Sequence, residues 1–254
     1  MIANRYNTGL PFLKGRSICF SCNTQLQNKD LIPIISFISL GGKCRYCGSK
    51  IPKETLIIEI LMGILSVLAF FKSGLSFENL SIFQSFNFLI ILFIFAVILL
   101  ISIYDLKHFI IPDSFLISLF ILSLLYLILN TLYLIPTSLL SGLILTLPFF
   151  LIFLVSKGTW FGFGDVKYIV VLGFFLGFVQ GLSAVTLAFW VGAAFSLLAL
   201  FLKKVAPHIN LPLLKNNLTI KSEIPFGPFI SVGIIISFYF SLDLLQIHEL
   251  FNIF

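Results

Sequence analysis

Two aspartates stand at the edges of long apolar segments, where carboxylates can do acid–base chemistry. Asp105 follows a nearly uncharged run, and Asp165 ends the stretch GFGD before another apolar run. Acids in such positions are energetically costly and usually serve a function. Two carboxylates about 3 Å apart share one proton, so one can act as a base on water while the other protonates a carbonyl oxygen. The pair therefore indicates aspartyl hydrolysis, if the fold brings the two together.

Each aspartate also has a purely structural explanation. Asp105 could pair with Lys107 or lie in a solvated loop, and Asp165 could cap the helix that follows it. Against capping alone, Gly162 and Gly164 remove side chains beside Asp165, which lets a backbone or an extended peptide approach closely. We expect both glycines to support a site.

Four polar neighbours complete the candidate site region. Asp113 precedes a predicted helix and would serve as its N-cap or near-cap, worth about 1 kcal/mol. Lys107 and Lys167 would lower the pKa of a carboxylate that they face. His108, in a basic loop, is expected to be solvated or interfacial and not a general base or metal ligand.

The four cysteines of the chain form two C-x2-C knuckles, Cys19 with Cys22 and Cys44 with Cys47. This spacing is typical of a tetrahedral Zn²⁺ site. Two disulfides or an iron–sulfur site are the alternatives, and a reducing cytoplasm disfavours the disulfides. A closed four-cysteine shell leaves no position for a substrate, so the metal is expected to be structural.

The amino-acid composition indicates the environment in which these residues lie. The chain has 254 residues, of which 59% are hydrophobic and 10% charged, with a mean hydropathy of +1.12. This indicates an integral membrane protein, and the absence of barrel-like alternation favours an all-α polytopic bundle. The first residues lack the apolar core of a cleavable signal peptide. Because a span needs about 20 apolar residues, we predict about seven, near 55–72, 84–104, 114–135, 137–156, 166–181, 182–202 and 226–247.

The basic residues predict the orientation of the bundle. Residues 1–54 form a predicted cysteine-bearing unit, and its many Lys and Arg residues place it in the cytoplasm by the positive-inside rule. Residues 55–254 form the predicted membrane bundle, with the loops around 105–113, 157–165 and 203–225 also inside. Both aspartates then face the cytoplasm. The net charge of +6 is explained by topology, so lipid and not nucleic acid is the expected partner.

Several blocks of the sequence resemble the type IV prepilin leader peptidase / N-methyltransferase family, which are GxGD membrane aspartyl proteases. The resemblance covers most of the chain, with the blocks in the family order. Members with the cysteine unit usually carry a further span before it, and this sequence begins near the point where that span would end. The matching blocks are GRSICFSC at 15–22, DLIPIISF at 30–37, GGKCRYCGSKI at 41–51, DLKHFIIPD at 105–113, GFGDVK at 162–167 and IPFGPFISVG at 224–233.

The resemblance implies a multi-pass enzyme of the bacterial cytoplasmic membrane. It would cleave the leader of prepilin or pseudopilin precursors on the cytoplasmic side, with Asp105 and Asp165 as the catalytic pair. Many members then methylate the new amino terminus with S-adenosylmethionine. The four cysteines match the zinc ligands of these bifunctional members.

Two other classes of function remain as alternatives. A transporter could use membrane-edge acids to bind protons or cations, although such acids more often lie in mid-span. A non-enzymatic pilus or secretion assembly protein could keep the cysteine unit for docking. That alternative leaves Asp105 and the glycines of GFGD without a role.

Overall fold

The protein is described here by a computed structural model. The residues that it describes are 17–19, 21–75, 81–131, 135–205 and 224–244. Within these ranges the regular elements are helices, and extended pairing is limited to isolated bridges. The predicted all-helical fold class is confirmed.

By packing, the chain divides into two compact units, Met1–Leu75 and Ser76–Phe254. The first unit therefore includes the first long apolar helix as well as the cysteines. The predicted division by function, after residue 54, stays a prediction.

In the first unit, a short helix α1 (Ile35–Ser39) precedes the long helix α2 (Lys53–Lys72). The two are joined by a hydrogen bond, because the backbone N–H of Ile34 donates to the Glu59 carboxylate at 2.7 Å. Near the second knuckle, the carboxylate of Asp30 accepts hydrogen bonds from Arg45 at 2.7 Å and Tyr46 at 3.0 Å. The Arg45 guanidinium lowers the pKa of Asp30 below its usual value. Polar contacts thus organise a segment with little apolar core.

The described residues of the second unit form five helices. They are α3 (Ile82–His108), α4 (Asp113–Asn130), α5 (Ile135–Ser156), α6 (Phe163–Val205) and α7 (Gly227–Phe240).

Five helices of the described residues, α2 to α6, are long and apolar enough to cross a membrane, and α7 is a shorter apolar helix. Many large apolar side chains on these helices are exposed, as expected where lipid and not water surrounds them. Because α6 is broken into two arms, helices α2 to α7 correspond to the seven predicted spans. The end of the last predicted span, beyond residue 244, lies outside the described residues.

Helix α6 is broken at Gly177, where φ is 77° and ψ is −179°. Only glycine adopts this conformation without strain. A Cβ on Gly181 would lie 3.5 Å from the Cα of Gly173, whereas residues eight apart in a straight helix are separated by about 12 Å. The chain therefore reverses into a first arm, 163–176, and a return arm, 178–205. The predicted boundary between residues 181 and 182 is wrong, because the reversal occurs at a glycine inside a continuous apolar run.

Glycines allow α6 to pack closely on both of its neighbours. A Cβ on Gly173 would lie 2.7 Å from the Cα of Gly142 in α5. A Cβ on Gly233 of α7 would lie 2.2 Å from the carbonyl oxygen of Ala184. Small residues at such contacts allow the backbones of membrane helices to approach. These contacts fix the first arm of α6 against α5 and its return arm against α7.

Candidate active site and metal centre

Asp105 lies in the last turn of α3, and its side chain meets the beginning of α7. The residue is 4% exposed, and its Oδ2 accepts a hydrogen bond from the backbone N–H of Gly227 at 2.9 Å. Gly227 is the first residue of α7, where backbone N–H groups lack partners within the helix and the helix dipole favours an anion. The carboxylate is thus both buried and fixed by an element that follows it by more than a hundred residues.

Asp165 is the third residue of α6. Its carboxylate lies close to Gly162, the residue before the helix, where the backbone N–H of Gly162 can stabilise the negative charge. The charge of Asp105 also acts on Asp165. Two carboxylates from different helices are therefore within electrostatic range, the arrangement in which sharing a proton is favourable. One such carboxylate can take a proton from water while the other gives one to a carbonyl oxygen.

The two glycines predicted beside Asp165 lie in tight contacts. A Cβ on Gly162 would be 3.0 Å from Oδ2 of Asp165. A Cβ on Gly164 would be 3.3 Å from the Cβ of Ile111, in the loop between α3 and α4. The absence of side chains here lets the start of α6 approach the residues that follow Asp105.

Lys167 and Asp113 form an ion pair between α6 and α4. Asp113 is the first residue of α4, after the N-cap Pro112, so it is a near-cap. The Lys167 ammonium also lies 5.0 Å from the ring centroid of Phe163. Lys167 therefore links the first turns of two helices.

The remaining two polar residues of the predicted region lie in the last turn of α3 and are exposed. Lys107 is two residues beyond Asp105. The ring of His108 lies against Tyr104, with centroids 4.4 Å apart. This position agrees with the interfacial role expected for His108.

The four cysteines are brought together in the first unit and form a candidate metal centre. Their Sγ atoms all lie within 4.8 Å of one another, and those of Cys19 and Cys47 are 3.9 Å apart. A tetrahedral zinc–thiolate site has sulfur atoms about 3.8 Å apart, so the set fits this metal. None of the four forms a disulfide.

Local hydrogen bonds favour the thiolate form of two of these cysteines. The backbone N–H groups of Cys22 and Ser21 lower the pKa of Cys19 to about 6. The side chain of Ser49 lowers the pKa of Cys47. Because thiolates and not thiols bind metals, these hydrogen bonds favour metal binding by two of the four cysteines.

One site residue, Gly227, was not predicted from the sequence, although it lies within the block IPFGPFISVG. The signal available in the sequence was a Gly-Pro pair at the start of an apolar run, which is typical of a helix beginning. Nothing in that pattern indicates which side chain the helix start will meet.

Comparisons with known proteins agree with the geometry. The family model "Bacterial Peptidase A24 N-terminal domain" matches residues 1–73, and the model "Type IV leader peptidase family" matches residues 90–197. A protein of Burkholderia pseudomallei named prepilin leader peptidase/N-methyltransferase is 26% identical over 233 residues, covering 90% of this chain and 67% of its own length. A protein of the same name from Bacillus subtilis is 27% identical over 234 residues, covering 91% of this chain and 84% of its own length. No solved structure gave a significant match.

Fold and comparisons together define the class as a multi-pass membrane peptidase. Through residues 90–197 the chain matches the type IV leader peptidase family, and the named relatives extend this similarity to about 90% of its length.

Proposed function

We propose that this chain is an aspartic endopeptidase that removes the leader peptide of type IV prepilins or pseudopilins, with Asp105 and Asp165 as its catalytic pair. The observation that carries the proposal is that these two carboxylates lie at the ends of different membrane helices, within electrostatic range of each other. The names of the relatives support the substrate class.

The reaction requires one proton shared by the pair. The ionised carboxylate takes a proton from a water molecule, whose oxygen attacks the scissile carbonyl carbon, and the protonated one donates to the carbonyl oxygen. When the tetrahedral intermediate collapses, the C–N bond breaks and the leaving nitrogen takes the proton that came from water. The hydroxyl proton returns to the other carboxylate, which restores the starting state.

We propose that the active site faces the cytoplasm and that the membrane is the bacterial inner membrane. Lys107 lies in the last turn of α3 and Lys157 directly follows α5, so both basic residues lie at the helix ends near the aspartates. The positive-inside rule assigns such ends to the cytoplasm.

The substrate is expected to approach through lipid. Ile110, Trp160 and Phe163 are exposed in the segments that flank the aspartates. The apolar helix of a prepilin could bury surface against such residues and so present its leader junction to the carboxylates.

The four-cysteine site is proposed to hold structural Zn²⁺. The four cysteines would supply all four ligands of a tetrahedral zinc ion, so no position would be left for water or substrate. Zinc would stabilise a segment that has few buried apolar side chains.

Methylation of the new amino terminus is a second proposed activity, supported by the names of the relatives. S-adenosylmethionine would supply the methyl group. We assign no binding site for it among the described residues. The test is to measure transfer of a labelled methyl group to the cleaved product. Cleavage without methyl transfer would show that the protein is a peptidase without methyltransferase activity.

The primary test compares cleavage of a prepilin precursor by membranes that contain matched amounts of wild type, Asp105→Asn and Asp165→Asn. Asp243→Asn is a suitable control, because this carboxylate follows the opposite end of α7 from Gly227. We expect both active-site variants to lose cleavage and the control to keep it. Wild-type activity in either active-site variant would contradict the aspartyl mechanism.

A further inference from the structure

A path of hydrogen bonds connects the helix of Asp165 to the carboxylate of Asp105. The backbone N–H of Gly227 donates to Asp105 at 2.9 Å, and the Ser231 hydroxyl donates to the Gly227 carbonyl at 2.9 Å. The Tyr168 hydroxyl lies 2.9 Å from the Ser231 hydroxyl. Because a serine hydroxyl has one hydrogen and Ser231 gives it to Gly227, Tyr168 is the donor in the last bond.

Every member of this path is shielded from solvent. Tyr168 is 0% exposed and Ser231 is 3% exposed. A bond in such surroundings is strong, and breaking it leaves a buried polar group without a partner. The path therefore restrains both the N–H and the C=O of Gly227, the residue that contacts Asp105.

The path also has a defined relation to the second carboxylate. Tyr168 follows Asp165 by three residues on the first arm of α6, so the two lie on the same face of that helix. A shift of this arm relative to α7 would stretch the bond between Tyr168 and Ser231. The hydrogen bond between Tyr168 and Ser231 therefore restrains the distance between Asp105 and Asp165.

We propose that Gly227, Ser231 and Tyr168 are positioning residues that set the Asp105 carboxylate at its working distance from Asp165. The inference rests on the proposed function of this pair. Gly227 also keeps the space open, because a Cβ there would lie 2.6 Å from Oδ2 of Asp105 and would displace the carboxylate. The simpler explanation, a buried tyrosine that only satisfies its hydroxyl, predicts lower stability without a selective loss of catalysis.

The test measures kcat and KM for precursor cleavage together with thermal stability in detergent. Tyr168→Phe removes only the hydroxyl, and Ser231→Ala removes its partner. We expect kcat to fall about tenfold or more in each, as for other small displacements of reacting groups, while KM stays within about twofold. Ser237→Ala is the control, since Ser237 is also a buried serine of α7 but bonds to Gln180, near the turn of α6.

A double variant distinguishes a positioning effect on catalysis from a non-specific disruption of the structure. Because Tyr168 and Ser231 act through one bond, the combined variant should be no slower than the slower single variant, whereas Tyr168→Phe with Ser237→Ala should show additive effects. Equal losses in the Ser231 and Ser237 variants, or stability losses with unchanged kcat, would overturn the inference. Gly227→Ala is an independent test, with loss of cleavage in a protein of normal stability as the expected result.

The same assay distinguishes failure of the inference from failure of the proposed function. If Asp105→Asn and Asp165→Asn abolish cleavage but Tyr168→Phe and Ser231→Ala leave kcat unchanged, the inference alone is wrong. If the aspartate variants cleave normally, the proposed function is wrong and the inference falls with it.

Discussion

The backbone nitrogen of Gly227 lies 2.9 Å from Oδ2 of Asp105, although 122 residues separate them in the sequence. Helix α7 therefore begins at the candidate active site. Movement of α7 along its axis would break this bond, so the helix has a role in the site as well as in the membrane.

Replacing Gly233 by alanine should destabilise the bundle. The added Cβ would lie 2.2 Å from the carbonyl oxygen of Ala184, which is backbone and cannot rotate away. We expect a loss of about 1–3 kcal/mol, measured by thermal or denaturant unfolding in detergent. Gly63→Ala in α2 is the control, because a Cβ there meets nothing within 4 Å and alanine favours the helix. Equal stability of the two variants would show that the contact of α7 with α6 is looser than described.

Asn87 and Asn130 should stabilise the pairing of α3 with α4 without affecting catalysis. Each side chain donates to the other, at 3.1 Å and 3.0 Å. Asn87 precedes Asp105 by 18 residues in one helix, about 27 Å along its axis. A double-mutant cycle with leucine should give a coupling of about 0.6–1.7 kcal/mol, with cleavage nearly unchanged. A large loss of cleavage in protein of normal stability would contradict this separation.

Loss of the ion pair between Lys167 and Asp113 should have a modest effect. Both side chains are partly exposed, at 34% and 68%, and pairs of this kind contribute about 0.2–1 kcal/mol. Lys167→Met should therefore reduce cleavage at most about fivefold, and Lys167→Arg should keep most of the activity. Inactivation as complete as that of Asp165→Asn would instead mean that Lys167 takes part in the chemistry.

Removal of metal should unfold the cysteine segment selectively. Because the metal would supply most of its folding free energy, a chelator or Cys44→Ser should make residues 17–52 sensitive to proteases. Circular dichroism should show nearly constant helix content, since the long helices do not depend on the thiolates. Zinc added back should restore protection in wild type but not in Cys44→Ser. Loss of the whole helical signal on chelation would show that the bundle itself depends on the metal.

Much of this architecture could be predicted because it depends on local patterns. The knuckle spacing predicted that Cys19, Cys22, Cys44 and Cys47 would meet, and runs of apolar residues predicted the helices. Counting spans assigned Asp105 and Asp165 to the same side of the membrane, which their proximity requires but which does not by itself predict it.

The contacts that could not be predicted depend on three-dimensional packing. The bond from Gly227 joins helices that are distant in sequence, and neither segment carries a pattern that identifies its partner. The reversal at Gly177 lies within an uninterrupted run of apolar residues, where hydropathy is uniform. The sequence could not show that Lys167 pairs with Asp113 and not with Asp105 or Asp165, because all three carboxylates are predicted at the same end of the bundle.

The reversal at Gly177 has a consequence for the surrounding lipid. The first arm of α6 spans residues 163–176, and α7 has 14 residues, so each is about 21 Å long. The hydrocarbon layer is about 30 Å thick. A bilayer beside these helices must become thinner or admit water at their far ends, at a free-energy cost that rises with acyl-chain length. The chain length of the lipids is thereby expected to affect the relative positions of the two helices that carry Asp165 and Gly227.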